Sequence, residues 1–216
     1  TSLPSLSLPD RYLPFSSIGK SFAENNICEM GYAVSKIYAR SIIEEFSIRF
    51  YENIHCLEDL LFMYQYLLHC DYLVLNHMQN YVYVKHPFSL SHRIHSFESE
   101  YCCFVKYQQL LAEMMKVWKI AVGDKVVTVN YMLVPFRRAM KSDYQPDRTI
   151  PREMRVKHLK RMISESRDVF LKYYHPVFKT DKLGKVLLGF NCYILYDFYI
   201  RLLFRLNIGP VFYGPK

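Results

Sequence analysis

The spacing of apolar residues along the chain changes character near residue 95. Before it, short runs rich in Val, Ile and Tyr read as strands: YAVSKIYA (Tyr32 to Ala39), YLVL (Tyr72 to Leu75) and NYVYVKH (Asn80 to His86). Between them, RSIIEEF predicts a helical turn and CLEDLLFMYQYLLHC predicts a helix opening near Glu58. That alternation predicts an α/β layer. From Ser96 the period becomes helical. Ser96 is placed as an N-cap, Glu98 and Glu100 stand in the first turns, and Lys116 and Lys119 come near the end, an order that suits the helix dipole. Further helices are predicted over 124–141 (with Pro135 inside), 151–165, 167–178 and 182–206, while AMKSDYQPDRTIP reads as a loop. The expected fold is α+β and mostly α: a partial α/β region over 1–94, then an all-helical, basic domain over 95–216.

Composition adds that a core can form, since 51% of the 216 residues are hydrophobic and 16% aromatic. The cysteines at 28, 56, 70, 102, 103 and 192 make no CxxC pair, so reduced thiols and a cytoplasmic setting are expected. The opening TSLPSLSLPDRYLPF has neither a basic nor an apolar leader region, and the expectation is a piece of a longer protein. The most lipid-like run, Lys185 to Phe204, is interrupted by Asn191, Asp197 and Arg201 and predicts a buried or interfacial helix rather than a span.

Charge divides the chain. Residues 1–105 carry 7 Lys and Arg against 11 Asp and Glu, whereas residues 106–216 carry 21 against 9. Within the basic half, Arg152, Arg155, Lys157, Lys160, Arg161 and Arg167 fall in one helix-length segment whose apolar set is Met154, Val156, Leu159 and Ile163. A solvated helix face and attraction to anionic lipid headgroups both fit that pattern. No nucleic-acid-binding module is recognisable, so no nucleic acid partner is expected.

Candidate chemistry centres on Glu58 and Asp59. Acids in a first helical turn are stabilised by the dipole and free N–H groups by about 0.3–1 kcal/mol, which suffices to explain them as caps. The same position, a helix N-terminus at the rim of a cleft, also suits a general base. His55, Cys56, His69 and Cys70 lie close in sequence to this pair, but their spacing matches no zinc pattern, and no metal is assigned to them.

Neighbouring motifs widen the picture. Lys36, Ile37, Tyr38 and Arg40, then Ile42 and Ile43, then Ile48, Arg49 and Phe50, then Glu58 and Asp59, and finally Tyr81, Tyr83, Ser89 and Ser91 succeed one another in order. The succession resembles the later part of the catalytic domain of family 2 glycosyltransferases (GT-A type), in the bacterial branch that builds surface polysaccharides. The resemblance implies inverting transfer of a sugar from a nucleotide diphosphate donor to a glycan or lipid-linked hydroxyl acceptor. It makes Asp59 the base and Glu58 its neighbour in the acceptor pocket. It sets Lys36 and Arg40 near the acceptor or diphosphate, with Ser89, His92 and Arg93 as phosphate or metal neighbours. It also implies a divalent metal (Mg or Mn) held by a D-x-D in the full-length enzyme. The sequence has no D-x-D, nor the family's PVYN or VDDGS, so this stretch is expected to lack the nucleotide-binding half, to hold no metal itself and to be inactive alone. Leu57 stands where the family more usually places Gly. The location implied is cytoplasmic, peripheral at the inner membrane face, with self-association through exposed sheet edges. The rival expectation is a non-enzymatic helical interaction or membrane-surface-binding module.

Overall fold

The computed structural model describes residues 11–24, 33–76, 81–82, 84, 94–119, 134–145, 148–174, 176, 179–206 and 208. Strand β1 (Arg11–Pro14) runs into helix α1 (Phe15–Glu24); α2 (Arg40–Glu45) and α3 (Glu58–Leu67) come next, then β2 (Tyr72–Leu75). The second part comprises α4 (Phe97–Val117), a helical segment over 134–141 that tightens into a 3₁₀ turn at Ser142–Tyr144, α5 (Arg152–Glu165), α6 (Arg167–Tyr173), α7 (Lys179–Gly189) and α8 (Tyr193–Arg205). The fold is mostly helical with one small antiparallel sheet of two strands among the described residues. No helix among those residues is long and apolar enough to cross a membrane.

YLVL forms a strand as expected, but its partner is β1, with Arg11 opposite Leu75 and Leu13 opposite Leu73. YAVSKIYA does not form one: residues 33–39 have no regular structure. Ser35 takes a left-handed φ of 63°, which breaks an extended run, and Ile37 is fully solvent-exposed. Among the described residues, the predicted α/β layer is therefore a single two-stranded ribbon. Residues 81, 82 and 84 of NYVYVKH are also outside any strand.

Helix α4 opens as its sequence dictates, with Ser96 Oγ accepting from the Ser99 N–H. Two other helices differ from expectation. The one expected to run to 178 ends at Tyr173, because Tyr174 turns extended shortly before Pro176. The helix predicted over 182–206 is two, broken where Asn191 adopts φ 59° and the Cys192 N–H bonds back to Leu187 O. Residues 124–133 lie outside the described set.

One apolar cluster joins Ile18, Leu61, Tyr64, Phe104, Tyr107, Met114, Met162 and Ile163. A satellite cluster of Ile48, Phe62, Tyr66 and Cys70 packs α2 and Tyr38 on α3. Buried ion pairs then fix the helices to one another. On α8, Asp197 accepts from Arg155 Nε at 2.6 Å and Nη2 at 3.0 Å and from the Tyr144 hydroxyl at 3.1 Å. Glu100 of α4 takes both arms of Arg138 at 2.8 and 2.7 Å. Asp181 of α7 meets Arg137 and Lys141, and His158 Nδ1 lies 2.6 Å from Asp143 Oδ2 while its ring stacks on Phe97. Arg148 donates to the carbonyls of Ile94, His95 and Ser142, closing the approach to α4.

These pairs change the meaning of the basic helix. In α5, Arg155 is buried and Met154 exposed, the reverse of the sequence-based assignment, and Arg161 bonds Glu98 while lying over the Tyr101 ring. Part of the segment's charge is thus tied into the structure, while Arg152, Lys157 and Lys160 remain exposed. Removing one partner of a buried pair leaves a desolvated charge, so Asp197→Ala should cost about 3–5 kcal/mol, whereas Arg155→Met with Asp197→Leu should restore most of that stability. Urea unfolding of the parent and both variants measures the difference.

Candidate active site

The two acids sit where the sequence placed them, in the first turn of α3. What delivers them there is Leu57, which holds φ 64° and ψ 15°, a left-handed conformation that lets the chain turn sharply from the Cys56 loop into the helix. Any side chain with a Cβ is strained in that region by about 1–2 kcal/mol, and glycine is not. Leu57 keeps its place by packing against the main core.

Asp59 is half-buried and well supplied with donors. Its Oδ1 accepts from the Leu60 N–H at 2.9 Å, and the backbone N–H of Ala33 reaches it from the irregular segment before α2. Burial, then repulsion from Glu58, raises its pKa from the ordinary aspartate value, and the backbone donors oppose that rise. The result is an acid poised against its environment yet held in one orientation, which is what a positioned proton acceptor requires.

Residues 33–39 bring two more groups to the same place. Lys36 is half-buried, and its pKa is lowered by desolvation while the Asp59 carboxylate acts in the opposite sense. Tyr38 packs edge-on against Phe62 and Tyr66. Its hydroxyl is buried without a hydrogen-bond partner among the described residues, and burial, followed by the Asp59 charge, pushes its pKa up to about 12. The segment is tied down beyond Tyr38 as well, since the Ala39 N–H donates to the Tyr66 hydroxyl at 2.7 Å.

Lys36, Glu58 and Asp59 therefore come together. Arg40 stands apart: on α2 it is exposed and paired with Glu44 at 2.6 Å. Ser89, His92 and Arg93 lie outside the described residues. Tyr38 belongs to the same KIYAR motif, yet its place beside Asp59 has no local sequence signal, because a partnerless buried hydroxyl is a property of the packing. Among the described residues no group of three or more His, Cys, Asp or Glu side chains converges. His69 instead stacks on Phe46 and His55 lies against His95. Among the described residues, the donor set at Asp59 does not fit a divalent metal, with one adjacent carboxylate and Lys36 nearby. The thiols of Cys56 and Cys70 are pushed up to about 11, chiefly by burial, and stay protonated at neutral pH. Comparison of the chain with protein-family models, curated proteins and solved structures finds no match.

Two substitutions probe this geometry. Leu57→Val, β-branched at a left-handed position, should destabilise by roughly 1–2 kcal/mol more than Leu57→Gly, which trades lost packing for relieved strain. Tyr38→Phe removes only an unsatisfied buried hydroxyl and should leave thermal stability unchanged or slightly raised. Thermal melts of the three variants against the parent decide both points.

Proposed function

We propose that this chain supplies the acceptor side of an inverting glycosyltransferase, moving a sugar from a nucleoside diphosphate donor to a hydroxyl acceptor in surface polysaccharide synthesis. The donor and its divalent metal are held by a further, nucleotide-binding part of the polypeptide, and the described residues alone carry no turnover. The observation that carries the reading is the Asp59 carboxylate: raised in pKa, held by backbone N–H groups, and near Lys36 and the Tyr38 hydroxyl, which is buried with no partner among the described residues. Leu57, where the family more usually places Gly, holds a left-handed conformation that Gly adopts without strain.

In the reaction, Asp59 takes the proton of the acceptor hydroxyl as that oxygen attacks the anomeric carbon. A C–O bond to the acceptor forms, the bond from the anomeric carbon to the diphosphate oxygen breaks, and the nucleoside diphosphate leaves with the electron pair. The raised pKa strengthens Asp59 as a base. Tyr38 is placed to bond an acceptor oxygen, and the Lys36 cation is placed to offset charge on the departing diphosphate. Partial desolvation makes both interactions stronger than they would be in water.

The test is transfer of labelled sugar from a set of nucleotide sugars by the protein expressed in its full reading frame. Asp59→Asn should lower turnover by about a hundred- to ten-thousandfold with donor binding unchanged; undiminished turnover would show that the carboxylate is only a helix cap. Stability gives a second, independent sign. The folded-state pKa of Asp59 lies above its unfolded value, so ionisation destabilises the fold: that effect is absent below the unfolded pKa and grows as pH rises through the folded one. Asp59→Asn should therefore be at least as stable as the parent at neutral pH, with the advantage vanishing in acid, as read by melts across that range.

A further inference from the structure

Helix α8 divides its side chains cleanly between protein and solvent. Tyr196, Asp197, Ile200 and Leu203 are buried. On the opposite side Ile194, Leu195, Phe198, Leu202 and Leu206 stand exposed, Phe198 at 67%, and Phe190 in the turn before the helix is exposed at 78%. At 100° per residue these helix positions form one stripe, and Arg201 and Arg205 fall on the same side. An apolar stripe of this kind on a water-facing helix marks an interaction surface.

Charge says what covers it. Helices α7 and α8 contain one acid each, Asp181 and Asp197, and both are buried against cations from other elements: Arg137 and Lys141 for the first, Arg155 for the second. The outward side of the hairpin is left with cations, Lys179 and Lys182 on α7 and Arg201 and Arg205 on α8, all exposed. Apolar side chains interleaved with arginines and free of acids do not suit a second copy of the same surface, which would bring like charges together. They suit an anionic lipid headgroup layer: the aliphatic and aromatic side chains reach the acyl boundary, and the guanidinium groups stay at phosphate depth on their flexible stems.

We propose that the outward face of α8, with Phe190 from the preceding turn, docks this protein on an anionic membrane surface. The surface is distinct from the Asp59 site and its role does not depend on the sugar-transfer reading. It is separate from the 152–167 segment, where Arg155 is buried against Asp197 and Arg161 pairs with Glu98 at the surface.

Flotation of the full chain with phosphatidylcholine vesicles, and with mixed phosphatidylcholine and phosphatidylglycerol vesicles, tests the assignment. Binding should require the anionic lipid and weaken with salt. Replacing Arg201 and Arg205 together by Gln should reduce it roughly thirtyfold, at about 1 kcal/mol per cation. Phe198→Ser should weaken binding to the same vesicles without lowering the melting temperature. Phe198→Trp should keep binding and give a blue-shifted emission on vesicle addition that the parent, with its single buried Trp118, does not show. Equal binding to both vesicle types, or binding that survives both Arg201→Gln/Arg205→Gln and Phe198→Ser, would overturn the proposal. So would concentration-dependent dimerisation abolished by Phe198→Ser in a protein that ignores vesicles, because a second copy would then be the occupant.

Discussion

Asp197 is buried in the middle of α8 and satisfied on both oxygens by the Arg155 guanidinium, with the Tyr144 hydroxyl as a third donor. A carboxylate in that position tolerates almost no rotation of its helix, because a turn of even one residue would leave two charges desolvated and apart. Three elements meet at this carboxylate: α5, α8 and the 3₁₀ turn after the 134–141 segment. It sets the orientation of α8, and with that orientation the choice of which side chains face the core and which face outward. Gly184 contributes to the same closeness, since a Cβ there would stand 3.1 Å from the Tyr196 ring.

The features legible in the sequence were local. The β-branched and aromatic YLVL had to be extended, the apolar run after Asp59 had to be helical, and Ser96 had to cap the long helix that begins at Phe97. The concealed features were distant. Arg155 reads as a polar-face residue because its partner lies 42 positions away, and nothing in REMRVKHLKRM announces a buried cation. The strand that pairs with YLVL is RYLP, four residues ending in proline and far too short to stand out by pattern. YAVSKIYA misleads for the opposite reason: its composition is that of a strand, yet the N–H groups of Ala33 and Ala39 go to a carboxylate and a phenol on α3 rather than to a neighbouring strand.

The candidate site shows the same division. Glu58 and Asp59 were visible as acids at a helix start, and a helix start is also where they prove to be. The energetic character of Asp59 was not visible, because it arises from burial, the adjacent Glu58 and a donor from Ala33 that sequence separation hides. Helix-terminal N–H groups favour the anion while burial opposes it. The balance leaves a carboxylate that is ionisable, oriented and under electrostatic stress, whereas an ordinary cap is merely ionised.

The segment between Ala33 and Ala39 is anchored to α3 at both ends by its backbone, at Ala33 through the Asp59 carboxylate and at Ala39 through the Tyr66 hydroxyl. Its path is thereby set by main-chain groups that every residue type except proline possesses. Side chains along it, such as the exposed Val34 and Ile37, can be exchanged without moving the backbone that presents them. Substitution along it would alter the surface beside Asp59 while the chain keeps its course.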